Sequence, residues 1–216
     1  VRARGRQERI LTESYSMSFT AASLRPELAR IIAEIYLSCG KWEETRRQVL
    51  AENALQARSP ASGVRMEREI RQRLETLTPA QIEVLAKAPA DGRSAIAWLS
   101  VLKRERFIFE FASGILREKL DALDPVLRPS DYERFLVQVG PGHPELERLT
   151  PATKAKIRQV TIRMLREVGI LDDDAKDLTV HRPLIPPDVL AAVLQDNPKW
   201  LAGFLVPDRE IATMEG

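Results

Sequence analysis

Arg93-Ser94-Ala95-Ile96-Ala97-Trp98-Leu99-Ser100-Val101-Leu102-Lys103-Arg104-Glu105-Arg106-Phe107-Ile108-Phe109-Glu110-Phe111-Ala112-Ser113-Gly114-Ile115-Leu116-Arg117-Glu118-Lys119-Leu120 is the stretch that decides the fold. It is long and rich in apolar residues, with Ile96, Leu99, Leu102, Phe107, Ile108, Phe111, Ile115 and Leu116 at helix spacing. It reads as two helices, or one kinked helix, at the centre of the core. Phe107, Phe109 and Phe111, with Trp98, belong to that core more naturally than to a platform for stacked bases.

The segments on either side are helical too. Leu24, Leu28, Ile31, Ile32, Ile35 and Tyr36 recur at helix spacing, and Gly40 is a good stop. A second helix follows over 41–53 with Trp42, Val49 and Leu50. Ser59-Pro60, Thr78-Pro79 and Thr150-Pro151 each set a capping hydroxyl before a proline at the first helical position. They predict helices running to about Leu77, a short one with Ile82, Val84 and Leu85, and one ending at Gly169. Pro89 and Gly92 interrupt, and Ser130-Asp131 opens another helix through Tyr132, Phe135 and Leu136. Gly140-Pro141-Gly142-His143-Pro144 is irregular and is the best internal boundary. Ile170-Leu171 and Leu178-Thr179-Val180 would form a short hairpin across Asp172 to Asp177, and a last helix begins near Pro187-Asp188.

Composition bounds the class. The chain has 216 residues, 44% hydrophobic and 30% charged, which fits an ordinary folded protein with a heavily charged surface. The single cysteine, Cys39, excludes an intrachain disulfide framework and reads as a core thiol. No stretch reaches the length of a membrane span, and no apolar run follows the basic beginning to make a signal peptide. Net charge is only +2, so a nucleic-acid site must come from the placement of Lys and Arg.

Two segments place them on one helix face. Over 59–77, Met66, Ile70, Leu74 and Leu77 fall on one side and Arg65, Arg68, Arg71 and Gln72 on the other, with Arg58 just ahead of the cap. With the preceding helix this is the outline of a helix-turn-helix unit. Against it, Glu67, Glu69 and Glu75 share the helix, the connection is long, and Glu69 with Arg73 has the spacing of a plain ion pair. Over 150–168, Ile157, Val160, Thr161, Met164, Leu165 and Val168 form the inner side. Lys156, Gln159, Arg163 and Arg166 form the outer side, with Lys154 and Arg158 flanking. This is the densest regular basic surface of the chain. A hairpin after it would complete a winged-helix outline, although Asp172-Asp173-Asp174 at the tip would repel phosphate. A solvated basic face that binds nothing, or one that meets an acidic protein, has the same pattern.

Chemistry is sparse. His143 and His181, with Cys39, are too few and too scattered for a structural zinc site or a nucleophile pair. His143 reads as a turn residue. No phosphate-binding glycine loop and no H-E-x-x-H is present, and Asp172 to Asp174 lacks the spacing of a calcium loop.

Several segments resemble, in order and spacing, the BrxA family, the small accessory component of bacterial BREX (bacteriophage exclusion) defence systems. They are Tyr15-Ser16-Met17-Ser18-Phe19-Thr20, Leu50-Ala51-Glu52-Asn53-Ala54-Leu55-Gln56-Ala57-Arg58-Ser59, Arg106-Phe107-Ile108, His143 through Val160, and Met164 through Leu171. The resemblance runs from about Tyr15 to about Leu194. It implies a cytoplasmic, non-catalytic DNA-binding protein of antiviral defence, with other BREX components as partners.

The expectation is therefore a mainly α, compact multi-helix protein with helix-turn-helix-like units and a small C-terminal hairpin. Residues 1–14 are a basic, mobile N-terminus, 15–139 an N-terminal helical portion, and 144–206 a C-terminal helix–hairpin–helix portion. No enzyme activity, cofactor, metal or membrane partner is expected. The partner is double-stranded DNA, met by Arg58, Arg65, Arg68, Arg71, Lys154, Lys156, Arg158, Arg163 and Arg166. The rival readings are a protein–protein adaptor, marked by an exposed apolar patch around Trp200, Phe204 and Leu205, and an RNA-binding helical protein.

Overall fold

The computed structural model describes residues 14–17, 19, 23–172 and 178–214. Residues 1–13 of the basic N-terminus, and 173–177 at the expected hairpin tip, lie outside the described residues. The helices are α1 (Pro26–Cys39), α2 (Trp42–Ala51), α3 (Pro60–Leu74), α4 (Pro79–Lys87), α5 (Ala90–Arg104) and α6 (Arg106–Glu110). A π-helical turn (Phe111–Leu116) leads into α7 (Arg117–Asp121), and then come strand β1 (Val126–Leu127), α8 (Pro129–Val139), α9 (Pro144–Glu147) and α10 (Pro151–Glu167). Strand β2 (Leu178–Thr179), α11 (Pro187–Asp196), a 3-10 helix (Pro198–Phe204) and α12 (Asp208–Met214) complete the order. The protein is mainly α with one small sheet.

Local signals set the helix starts. Ser59 accepts from the Ser62 amide, Thr78 from that of Gln81, and Thr150 from that of Thr153, each followed by proline at the first helical position. Gly40 and Gly169 end their helices at φ +72° and +77°, a region costly for any residue with a Cβ. Gly92 differs from expectation. It lies inside α5, where a Cβ would stand 2.7 Å from that of Ala88, so the glycine serves close packing and Pro89 alone makes the break.

α5 is the centre. Every residue from Ala95 to Leu102 is buried, because other elements cover it on all sides. Ser100 satisfies its hydroxyl on the Ala97 carbonyl at 2.7 Å, and the Trp98 indole donates to the Gly203 carbonyl at 3.0 Å. The expected kink falls at Glu105 (φ −105°, ψ 85°), between α5 and α6. Phe107 and Phe111 then pack edge-on against Tyr132, and both also meet Phe135. One contiguous core takes in Ile96 and Phe111 as well as Ile157, Met164 and Phe204, so the two expected portions share it.

The sheet differs from a self-contained hairpin. Leu171 bridges Val180 in antiparallel sense, as the sequence suggests. The ladder itself joins β2 to β1, Val126 opposite Thr179 and Leu127 opposite Leu178. Two-residue pairing between Val126 and Thr179, 53 residues apart, leaves no periodic trace, so a window of sequence does not reveal β1. Cys39 is corrected as well: its thiol is half-buried at the end of α1 and lies 3.3 Å from Gln48 Oε1, outside the core. No helix among the described residues is long and apolar enough to cross a membrane.

Under α3 lies a buried charge cluster. Arg73 donates to Glu69 at 2.9 Å and to the Ser23 carbonyl at 3.0 Å. Glu105, 1% exposed, has Arg104 Nε 3.2 Å away, but neither of its oxygens accepts a hydrogen bond from a described residue. Burial pushes the Glu105 carboxyl up to about 7, with Arg104 and Arg73 opposing the rise. Its ionised form is thus penalised in the folded state. The penalty is absent below the ordinary carboxylate value of about 4.5 and complete above about 7. Glu105→Gln, which mimics the protonated acid, is expected to stabilise the protein by about 3 kcal/mol at pH 8 and hardly at all at pH 4.5. Thermal melts should show a gain of roughly 6–12 °C at the higher pH.

Candidate nucleic-acid interface

α10 is amphipathic with its cations outward. Ile157, Val160, Thr161, Met164 and Leu165 are buried, and the Thr161 hydroxyl back-bonds to the Ile157 carbonyl at 2.9 Å, which lets a polar residue sit inside. Lys154, Lys156 and Arg163 are exposed. Arg158 is half-buried near Tyr132, and Arg166 is half-buried with its Nε enclosed. None of the five forms an ion pair with a described residue. The contrast with the rest of the chain is sharp. Arg30, Arg47, Arg93, Arg104, Arg106, Arg117, Arg128, Arg134 and Arg182 all lie against carboxylates. From Arg148 to Arg166 the chain keeps its positive charge unneutralised by any described residue.

α3 divides. Arg58, ahead of the cap, and Arg65 and Arg68 are exposed and without an ion pair to a described residue. Arg71 departs from the expected outward role. It is only 18% exposed, its Nε lies 2.6 Å from the buried Glu67, and its Nη1 bonds Glu75. Glu67, 0% exposed, needs that cation, so Arg71 is committed to the fold. Glu69 with Arg73 is the i,i+4 pair its spacing suggests, buried instead of solvated. The usable cations of α3 are therefore those of its first half and the approach to it.

The structure brings together two stretches that stand 130 residues apart. The Tyr15 ring stacks on His143 at 4.0 Å and meets Phe107 edge-on. The Tyr15 amide donates to Glu145 Oε1 at 2.7 Å, the oxygen that His143 Nδ1 also approaches at 2.8 Å. The Tyr15 hydroxyl donates to Glu110, which Arg106 holds at 2.5 Å while its guanidinium covers the Tyr15 ring. Burial and the neighbouring Glu110 hold the Tyr15 hydroxyl well above its ordinary pKa, so it remains a donor. His143 is corrected from a turn residue to a buried ring ahead of α9. His143→Ala should cost about 2 kcal/mol through the lost stack and hydrogen bond, read as a lowered urea midpoint. An unchanged midpoint would show that the ring contributes nothing.

Further along, the same N-terminal segment touches both basic helices. The Leu24 amide donates to Glu167 Oε2 at 2.6 Å at the end of α10, the Ser23 carbonyl accepts from Arg73 on α3, and Arg25 Nη1 lies 3.8 Å from Met66 Sδ on α3. Helix spacing in the sequence puts Leu24 on the first helix, whereas α1 begins at Pro26 and Leu24 lies ahead of it. The apolar patch that would mark an adaptor is not found where it was expected. Phe204 and Leu205 are in the core, and Trp200 is half-buried against Phe109 with Lys199 over its ring. Among the described residues no three His, Cys, Asp or Glu are grouped to hold a metal ion.

These features define a class: a small helical protein whose unneutralised cations lie along α10 and the first half of α3. The BrxA family model matches residues 13–197. A BREX protein BrxA from Paramagnetospirillum magneticum is 23% identical over 87% of this chain and 94% of its own length. One from Bacillus cereus is 24% identical over 68% of this chain and 74% of its own, and one from Escherichia coli is 23% identical over 67% and 68%. The crystal structure of an uncharacterized protein from Magnetospirillum magneticum superposes with a TM-score of 0.77 at 21% identity, covering 89% of this chain and 98% of the other, which shows a shared fold. The chain belongs to the BrxA family of BREX defence systems.

Proposed function

We propose that this protein is a non-catalytic DNA-binding component of its defence system, holding duplex DNA through the outer face of α10. One observation carries the reading. Lys154, Lys156, Arg158, Arg163 and Arg166 recur on one helix with no carboxylate partner among the described residues, while arginines elsewhere are mostly paired. Cations left without protein partners are what a polyanion neutralises, and counterion release then supplies the affinity. Arginine also suits base edges, but nothing in the arrangement selects a sequence, so phosphate contact dominates the expected binding. Residues of the α3 start, Arg58, Arg65 and Arg68, are the secondary contacts.

The test is duplex binding across a salt series. Each phosphate neutralised contributes about 0.9 to the slope of log affinity against log salt. A slope of about −3 or steeper is expected from the α10 face alone. A protein that does not bind duplex at low salt refutes the reading. A single-stranded RNA competitor that displaces duplex at equal concentration would favour RNA instead.

A further inference from the structure

We infer that α10 enters the major groove of the duplex, with its two cationic edges set against the phosphates of opposite strands; the inference rests on the duplex-binding reading above. At about 100° per residue, the buried Ile157, Val160, Thr161, Met164 and Leu165 define the inner side of α10. Ala152, Ala155 and Gln159 lie on the line opposite, and all three are exposed. Lys156 and Arg163 fall about 50–70° to one side of that line. Arg158 falls about 90° to the other side, with Lys154 further round on the same side. In the opening turns the crest of the helix therefore carries no charge, and the cations flank it. Arg166 joins the crest only in the last turn, with its Nε enclosed.

That distribution separates two ways of meeting a polyanion. A helix laid across the outside of the phosphate backbone needs its charge at the crest, where Ala152 and Ala155 stand here. A helix inside the groove has base edges before its crest and a wall of phosphates on either side. The major groove is ~12 Å wide and a helix with its side chains ~10–12 Å across, so cations on both edges reach both walls. Alanines at the crest let the helix come close to the base edges, and Gln159 is the polar residue that faces them. Its Oε1 accepts from Lys156 Nζ at 3.1 Å, which links the crest to one edge. Among the described residues no other helix runs close beside the backbone of α10, so its outer half stays clear. The one acid of the helix, Glu167, lies past the last of these cations and accepts from the Leu24 amide at 2.6 Å.

The experiment treats a labelled duplex of about two helical turns with dimethyl sulfate, with and without a saturating amount of the whole chain. The reagent methylates guanine N7 in the major groove and adenine N3 in the minor groove. Protection of guanine N7 is expected. Protection of adenine N3 alone, or of neither atom on a duplex that is bound, overturns groove entry. Two paired variants then report on the edges over a salt series. Lys154→Gln with Arg158→Gln, and Lys156→Gln with Arg163→Gln, should each take about 1.8 from the slope of log affinity against log salt. If only one pair lowers the slope, α10 meets a single strand: groove entry is overturned and the α10 reading stands. If neither pair lowers it, or the parent protein does not bind duplex, both fall. Arg158 is half-buried near Tyr132. Should its pair melt below the parent, Lys154→Gln alone decides: a slope smaller by about 0.9 supports the second edge, and a parental slope overturns it.

Discussion

Lys156→Glu combined with Arg163→Glu is expected to weaken duplex binding by at least ~60-fold at about 0.1 M salt. The two positions are seven residues apart on α10 and so share a face, and both side chains are exposed. Each phosphate contact with a slope near 0.9 is worth about eightfold at that salt, and two lost contacts multiply. The reversed charges add repulsion, so the figure is a lower bound. Stability should change little. Neither side chain has a carboxylate partner among the described residues, and the exposed bond from Lys156 to Gln159 at 3.1 Å is the one polar contact given up. Binding within threefold of the parent, with an unchanged melting curve, would remove α10 from the interface.

The second large effect concerns the fold. Arg73→Ala is expected to destabilise the protein by about 3–5 kcal/mol. Arg73 is 2% exposed, and burial pulls its pKa below the ordinary arginine value while Glu69 and Glu105 restore its charge. Removing it strands the buried Glu69 carboxylate, leaves Glu105 with Arg104 alone as its nearby cation, and frees the Ser23 carbonyl it holds. For a chain of this length the midpoint of melting should fall by roughly 6–20 °C. Adding Glu69→Gln to Arg73→Ala should recover part of the loss, because one stranded charge disappears with it. A loss under about 1 kcal/mol would mean that the cluster is open to water.

These two variants mark what was legible in the sequence and what was not. Capping is local chemistry, so Ser59-Pro60, Thr78-Pro79 and Thr150-Pro151 gave three helix starts directly. The apolar density of 93–120 gave the core, and the order of short segments gave the family. The basic faces were visible as wheels, but the wheel could not tell Arg68 from Arg71. They differ in whether a carboxylate is held beneath them, and Glu67 looks like a surface acid until the fold buries it. β1, the Tyr15–His143 stack and Arg25 were hidden for another reason. Each depends on partners brought from 41 to 130 residues away, and a window along the chain contains only one member of each pair. Cys39 has apolar neighbours along the chain, but its thiol at the end of α1 lies outside the core, so that local pattern misplaces it.

The Ser23–Arg25 segment has a consequence for synthesis. Its backbone is tied to Glu167 across 143 residues. A ribosome adding ~5–20 residues per second would need about 7–30 s after making Leu24 before its partner emerged. Through that interval α1 to α5 can assemble around one another, and Ser23 can reach Arg73 and Tyr15 can reach Phe107, but the tie of Leu24 to α10 is missing. Closure of the molecule thus belongs to the end of translation. A chain truncated before Glu167 should retain helices yet leave the backbone around Leu24 more open to proteases, since a contact that secures it comes from 143 residues away.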